Sequence, residues 1–180
     1  IARFGLGYAP DDGQALYLYL RDKGYNQQEL DASGLFKRSQ SGRIYCLFWK
    51  RVMTPIFDLR GNIIAFGGRV MDDSKPKYVN SPETLVYHKS ETVFAMQIAK
   101  RSASRRFVLC EGYMDVISMQ QAGIDTAVCA CGTALTPGQV RIISEYADEV
   151  ILSYDSDEAG QKATLRSLEL FRNSPVKVGV

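Results

Sequence analysis

A chain of 180 residues, 46% hydrophobic and 23% charged, can bury a core as one domain or two small packed ones, which excludes a disordered tail. No apolar run is long enough for a membrane span and the first residues lack a charged-then-apolar signal build, so a soluble cytoplasmic protein with no membrane partner is expected. The net charge of +2 hides an uneven distribution: residues 37–106 hold 14 Lys/Arg against 5 Asp/Glu and residues 107–180 hold 5 against 10, a split that suits gripping phosphates with one part and metal ions with the other.

In chain order, residues 13–24 carry a helical apolar pattern through Ala15, Leu16, Leu18 and Leu20 that stops at Gly24, a C′ glycine. A short helix is predicted over residues 27–32. From residue 44 the texture becomes β-rich, and runs at 52–57 and 63–66 flank Asp58-Leu59-Arg60-Gly61-Asn62, the pattern of a hairpin. Residues 72–90 are polar and broken by Pro76 and Pro82, long enough for a functional loop. A helix is predicted over residues 92–101. Beyond Arg105-Arg106 strands and helices alternate: strands at 107–110, 126–131, 150–154 and 176–180, helices at 114–123, 137–146 and 159–171. That alternation predicts a parallel α/β sheet with right-handed crossovers, and a boundary near residues 102–106. The first residue is Ile and the last segment reads as a strand without a following turn, so a piece of a longer chain is expected.

Cys46, Cys110, Cys129 and Cys131 form no Cys-x-x-Cys pair and the chain has one histidine, His88, which argues against structural zinc. Cys110 and Cys129 lie in apolar strand-like runs and are expected to be small buried hydrophobes.

Ligands of open parallel sheets bind beyond the carboxyl ends of the strands. Here those ends carry Glu111, Gly132 and Asp155. Glu111-Gly112-Tyr113-Met114-Asp115 follows the first strand and Asp155-Ser156-Asp157 the third. Crowded carboxylates repel unless a hard divalent cation is present, and Mg2+, which keeps exchangeable waters for phosphate oxygens, fits best, with Mn2+ as the alternative. Separately, each acid reads as an ordinary cap or surface group. At the second strand end, Thr136 is a natural N-cap and Pro137 the first helical residue.

Glu111-Gly112-Tyr113-Met114-Asp115-Val116, Gly132-Thr133-Ala134-Leu135-Thr136 and Asp155-Ser156-Asp157-Glu158-Ala159-Gly160 resemble, in order and spacing, the Toprim motifs of bacterial DnaG-type primases. Toprim domains also occur in topoisomerases, OLD-type nucleases and RecR, so the preceding tract matters. Arg51-Val52-Met53-Thr54-Pro55-Ile56, Phe66-Gly67-Gly68-Arg69-Val70 and Pro76-Lys77-Tyr78-Val79-Asn80-Ser81-Pro82-Glu83-Thr84, with His88-Lys89 following, resemble the primase-specific amino-terminal subdomain. The likeness covers essentially the whole chain. It implies an α/β fold in which a mixed α+β amino-terminal subdomain (residues 1–105) packs on a Rossmann-like Toprim subdomain (106–180). It further implies an enzyme that synthesises RNA primers on single-stranded DNA from ribonucleoside triphosphates, with the replicative helicase engaged through a carboxyl-terminal domain. Glu111, Asp155 and Asp157 would be catalytic, and Glu111, Asp115, Asp155 and Asp157 would hold the metal, Glu111 as ligand or proton-transfer group. Arg69, Lys77, Asn80 and Lys89 would bind nucleotide or nucleic acid, whereas the bland reading has Asn80 and Ser81 shaping a turn. Zinc would belong to an absent amino-terminal domain. Phe48, Trp49, Tyr78 and Tyr87 could stack on bases, with core packing the better expectation for most. Two departures stand out. The family usually has basic residues where this chain has Leu47 and Trp49, and its further Asp-Pro-Asp-type motif would follow the strand that ends at Val180, so the segment alone is expected to be weakly active or inactive. The competing readings are a Toprim nuclease or topoisomerase, and a non-catalytic nucleic-acid-binding module.

Overall fold

The computed structural model describes residues 2–132 and 134–180, and the chain divides into two compact units, Ile1–Ile56 with Ile64–Tyr87, and Phe57–Ile63 with His88–Val180. The first unit runs from a 3-10 turn at Ala2–Phe4 through β1 (Gly7–Ala9), α1 (Ala15–Asp22), α2 (Gln27–Ala32), β2 (Phe36–Arg38), β3 (Ile44–Cys46), β4 (Arg51–Phe57), β5 (Ile63–Arg69) and β6 (Tyr78–Asn80). Gly24 follows the C-cap of α1 as predicted, and α2 opens on a reciprocal capping box between Asn26 and Glu29. A sheet of order β1-β4-β5-β6 forms the scaffold, with β2 and β3 paired separately as an antiparallel hairpin. Strand β6 lies within the stretch predicted as a functional loop.

The β4–β5 connection is the expected hairpin. Asp58 accepts hydrogen bonds from the amides of Arg60 and Asn62, both at 2.8 Å, and from Asn62 Nδ2 at 2.9 Å. These side-chain bonds add to the backbone bonds of the turn, from the Asp58 amide to the Asn62 carbonyl at 2.9 Å and from the Gly61 amide to the Asp58 carbonyl at 3.1 Å.

The second unit continues with a 3-10 turn at Lys89–Glu91, then β7 (Val93–Phe94), α3 (Met96–Ala99), β8 (Arg106–Cys110), α4 (Tyr113–Gln121), β9 (Ala127–Ala130), α5 (Pro137–Tyr146), β10 (Glu149–Ser153), α6 (Glu158–Phe171) and β11 (Lys177–Gly179). The sheet order is β11-β10-β8-β9-β7; the first four strands are mutually parallel, and β7 closes the edge antiparallel to β9. A strand, a helix and a neighbouring parallel strand alternate as predicted, because β8, β9 and β10 are short apolar runs each followed by a capped amphipathic segment. Phe107, Leu109, Val128, Ile143, Val150 and Phe171 are almost fully buried at the centre, and Leu59 from the hairpin tip packs on the same cluster.

One predicted element is corrected. Residues 92–101 do not form one helix: Val93 and Phe94 pair with Ala130 and Cys129 as β7, Ala95 takes a left-handed conformation (φ 64°), and the helix begins only at Met96. Both strand residues are buried, and a β-branched residue beside an aromatic one favours a strand once a partner edge exists. That edge comes from a distant part of the chain.

Candidate active site at the carboxyl ends of the parallel strands

Strand β8 is flanked by β10 and β9, in registers that pair Cys110 with Ser153 and with Cys129. Glu111 and Asp155 therefore leave neighbouring strand ends on the same edge, and Gly132 leaves the third. Glu111 Oε2 accepts from the Asp155 amide at 3.2 Å, which joins the two acidic motifs directly. Asp115 in the first turn of α4 accepts from the Gly112 amide at 2.9 Å, and Asp157 caps α6 by accepting from the Gly160 amide at 2.8 Å. All four acids are exposed. Thr133, in the glycine motif, lies outside the described residues, while Thr136 caps α5 and Pro137 opens it as expected.

The backbone beneath these acids is tightly set. A Cβ on Gly160 would lie 2.0 Å from the carbonyl oxygen of Asp155, so only glycine lets the first turn of α6 approach the acidic loop this closely.

The two ends of the sheet treat their carboxylates differently. At the amino ends of β8 and β10, Arg105 pairs with Asp148 at 2.9 Å, and Arg106 grips Glu149 with Nε at 2.6 Å and Nη2 at 3.0 Å. The guanidinium of Arg106 holds the Glu149 carboxyl below its ordinary range. At the carboxyl ends, among the described residues, Glu111, Asp115, Asp155 and Asp157 form no ion pair.

A cavity of about 340 Å³ opens beside Glu111, lined among others by Gly132, Leu135, Tyr154 and Arg166. Cys110 forms part of its wall. Burial and the charge of Asp115 push this thiol up to about 11, and burial pushes Cys129 well up, so both stay protonated near neutrality. All four cysteines are buried and form no disulfide, and Cys110 and Cys129 are the small buried groups that their apolar setting predicted. Exposed carboxylate oxygens suit a hard cation. Among the described residues no group of three or more His, Cys, Asp or Glu side chains is gathered closely enough to hold a metal ion. Asp115 and Asp157 are turned to backbone amides, and Glu111 and Asp155 are the two acidic positions brought together.

In the first unit, pairing of β5 with β6 sets Gly67 opposite Asn80 and Arg69 opposite Tyr78. The Arg69 guanidinium stands 5.6 Å from the centre of the Tyr78 ring. Lys77 is exposed, and its carbonyl accepts from Arg51 Nη1 at 3.3 Å. Arg51, buried and positioning this backbone, went unread in the sequence because its neighbours give no sign that it turns inward. Lys89 lies in the second unit, half-buried, in the 3-10 turn ahead of β7. Of the aromatics, Phe48 and Tyr87 are core residues while Tyr78 and Trp49 are exposed by 47% and 46%. Among the described residues no helix is long and apolar enough to cross a membrane.

Comparison with known proteins gives two matches along the chain: the family model for the DNA primase catalytic core, N-terminal domain, over residues 1–100, and a Toprim-like model over residues 108–179. A DNA primase of Clostridium acetobutylicum is 45% identical over 173 residues, covering 96% of this chain and 29% of the relative. Among solved structures, the zinc binding and RNA polymerase domains of the Aquifex aeolicus primase superpose with a TM-score of 0.89 at 36% identity, over 98% of this chain and 44% of that one. A DnaG primase catalytic domain bound to ssDNA superposes with a TM-score of 0.85 at 38% identity, over 95% of this chain and 56% of that one. The chain thus spans under a third of the curated relative's length.

Proposed function

The chain belongs to the family of DNA primase catalytic cores, and on that premise we propose that it is part of an enzyme that synthesises short RNA primers on single-stranded DNA. The observation that carries this reading is the unbalanced edge of the second unit: acids are matched by arginines at the amino ends of the strands, whereas at the carboxyl ends Glu111, Asp115, Asp155 and Asp157 form no ion pair among the described residues. In the proposed reaction the primer 3′ hydroxyl attacks the α-phosphate of an incoming ribonucleoside triphosphate, forming the new phosphodiester bond as pyrophosphate leaves. Catalysis of this kind rests mainly on positioning and charge neutralisation.

Glu111, Asp115, Asp155 and Asp157 would hold Mg2+, with Glu111 and Asp155 already side by side and Asp115 and Asp157 turning from the backbone amides they accept from; when bound, the ion supplies orientation and charge neutralisation for phosphoryl oxygens. Glu111 serves as a ligand or as the group that moves the hydroxyl proton. Arg69, Lys77 and Asn80 of the first unit, and Lys89 of the second, bind triphosphate or nucleic-acid backbone through fixed charge and directional donors. We assign residues 1–105 to nucleotide and nucleic-acid binding and residues 106–180 to the Toprim chemistry. Zinc and the contact with the replicative helicase belong, on this reading, to other parts of the full-length enzyme, which works in the cytoplasm at the replication fork.

Primer synthesis by the full-length enzyme on single-stranded DNA, with labelled ribonucleotides and Mg2+, tests the proposal. Wild type should make short RNA, and Asp155→Asn should lower the yield by about a hundredfold or more. Cleavage of the DNA without RNA synthesis would replace this reading with a nuclease.

A further inference from the structure

The first turn of α5 does more than cap itself. Gln139 at its third position is fully buried, and its Oε1 accepts from the Thr136 amide at 3.0 Å in the ordinary manner of a capping box. Its Nε2, which would face water in an exposed box, instead donates to the carbonyls of Lys89 at 2.8 Å and Thr92 at 2.9 Å. Thr136 Oγ1 donates to the carbonyl of Ser90 at 2.5 Å. Gly138 completes the arrangement, since a Cβ there would lie 2.6 Å from that same oxygen. Thr92 Oγ1 in turn donates to the carbonyl of His88 at 2.7 Å. The short turn bearing Lys89 is therefore held by its backbone, carbonyl by carbonyl, and most of the hold comes from Thr136, Gly138 and Gln139.

We propose that Gln139 is a positioning residue for Lys89. It fixes the turn Lys89–Glu91 on the segment that follows β9, so that the Lys89 ammonium is presented to a phosphate oxyanion from one place rather than from a mobile loop. A buried amide with both donors and its oxygen satisfied is costly to disturb, because its removal leaves carbonyls desolvated and unpaired. The inference rests on the proposed role of Lys89 as a phosphate contact and adds the device that aims it.

A double-mutant cycle in the full-length enzyme tests it, using Gln139→Met, which keeps the length and loses the donors, with Lys89→Ala and the double variant. Binding is read with a fluorescent ribonucleoside triphosphate in one arm and a labelled single-stranded oligonucleotide in the other, which separates the two sources of phosphate. Lys89→Ala should weaken one of these ligands, Gln139→Met should weaken the same one by about three- to tenfold, and the double variant should be no worse than Lys89→Ala alone. Should Gln139→Met fail to fold, Gln139→Glu, which keeps the shape and exchanges the donating amide nitrogen for an oxygen, goes through the same cycle. Equal losses from the Gln139 variant with and without Lys89 would mean a purely structural role, and wild-type binding by that variant would remove the clamp while leaving the Lys89 contact standing. If Lys89→Ala changes neither ligand, the phosphate-contact reading and the clamp built on it both fall.

Discussion

A single methyl group at residue 160 would strike backbone. The atom it would meet is the carbonyl oxygen of Asp155, which cannot swing aside as the end of a side chain can, so either α6 or the acidic loop must move. Gly160→Ala is accordingly expected to destabilise the protein by about 1–3 kcal/mol and to lower primer synthesis by about tenfold or more through displacement of Asp155. Urea denaturation of the variant gives the first figure and the primer assay the second. Wild-type values in both would show that the loop relaxes freely and that its position matters little. The thiols under the same edge impose no comparable constraint, being protonated, buried and apolar in behaviour.

At the level of elements, the β4–β5 hairpin depends on an ionised side chain. Hydrogen bonds from the Asn62 side chain and then from the amides of Asn62, Arg60 and Gly61 hold the Asp58 carboxyl below its ordinary range. A depressed folded-state pKa contributes stability that is present above the unfolded value and is lost as pH falls through the folded one. Glu149, held down by Arg106 across β8 and β10, acts with the same sign. Thermal melts should therefore be flat from pH 7 to about 5 and fall below about 4, and Asp58→Ala should fall less steeply than wild type; superimposable slopes would remove Asp58 from the explanation. This hairpin was readable because its turn residues are local. So were β8, β9 and β10, whose apolar runs and following caps place Glu111 and Asp155 at strand ends without reference to the rest of the chain. What could not be read depends on distant partners. Strand β1 is three residues long and pairs only with the remote β4, Val93 and Phe94 needed β9, and Gln139 finds its acceptors 50 and 47 residues away.

Across the whole chain, charge is sorted in two ways, basic against acidic by sequence and paired against unpaired along the second unit's sheet. Glu111 and Asp155, exposed, adjacent and in no ion pair among the described residues, raise the free energy of the folded state until a counter-charge binds. Adding millimolar Mg2+ in place of a chelator should raise the melting temperature by about 2–4 °C, and Asp155→Asn should reduce that rise. An equal rise with monovalent salt of matched ionic strength would indicate screening instead of a bound ion. The antiparallel edge of this sheet also has a consequence in time. Strand β7 is synthesised before β8 and β9, yet its ladder partner is β9. Val93 and Phe94 thus leave the ribosome with nothing to pair with and stay so until β9 has emerged and taken its place, which makes completion of a later segment the event that lets an earlier one fold.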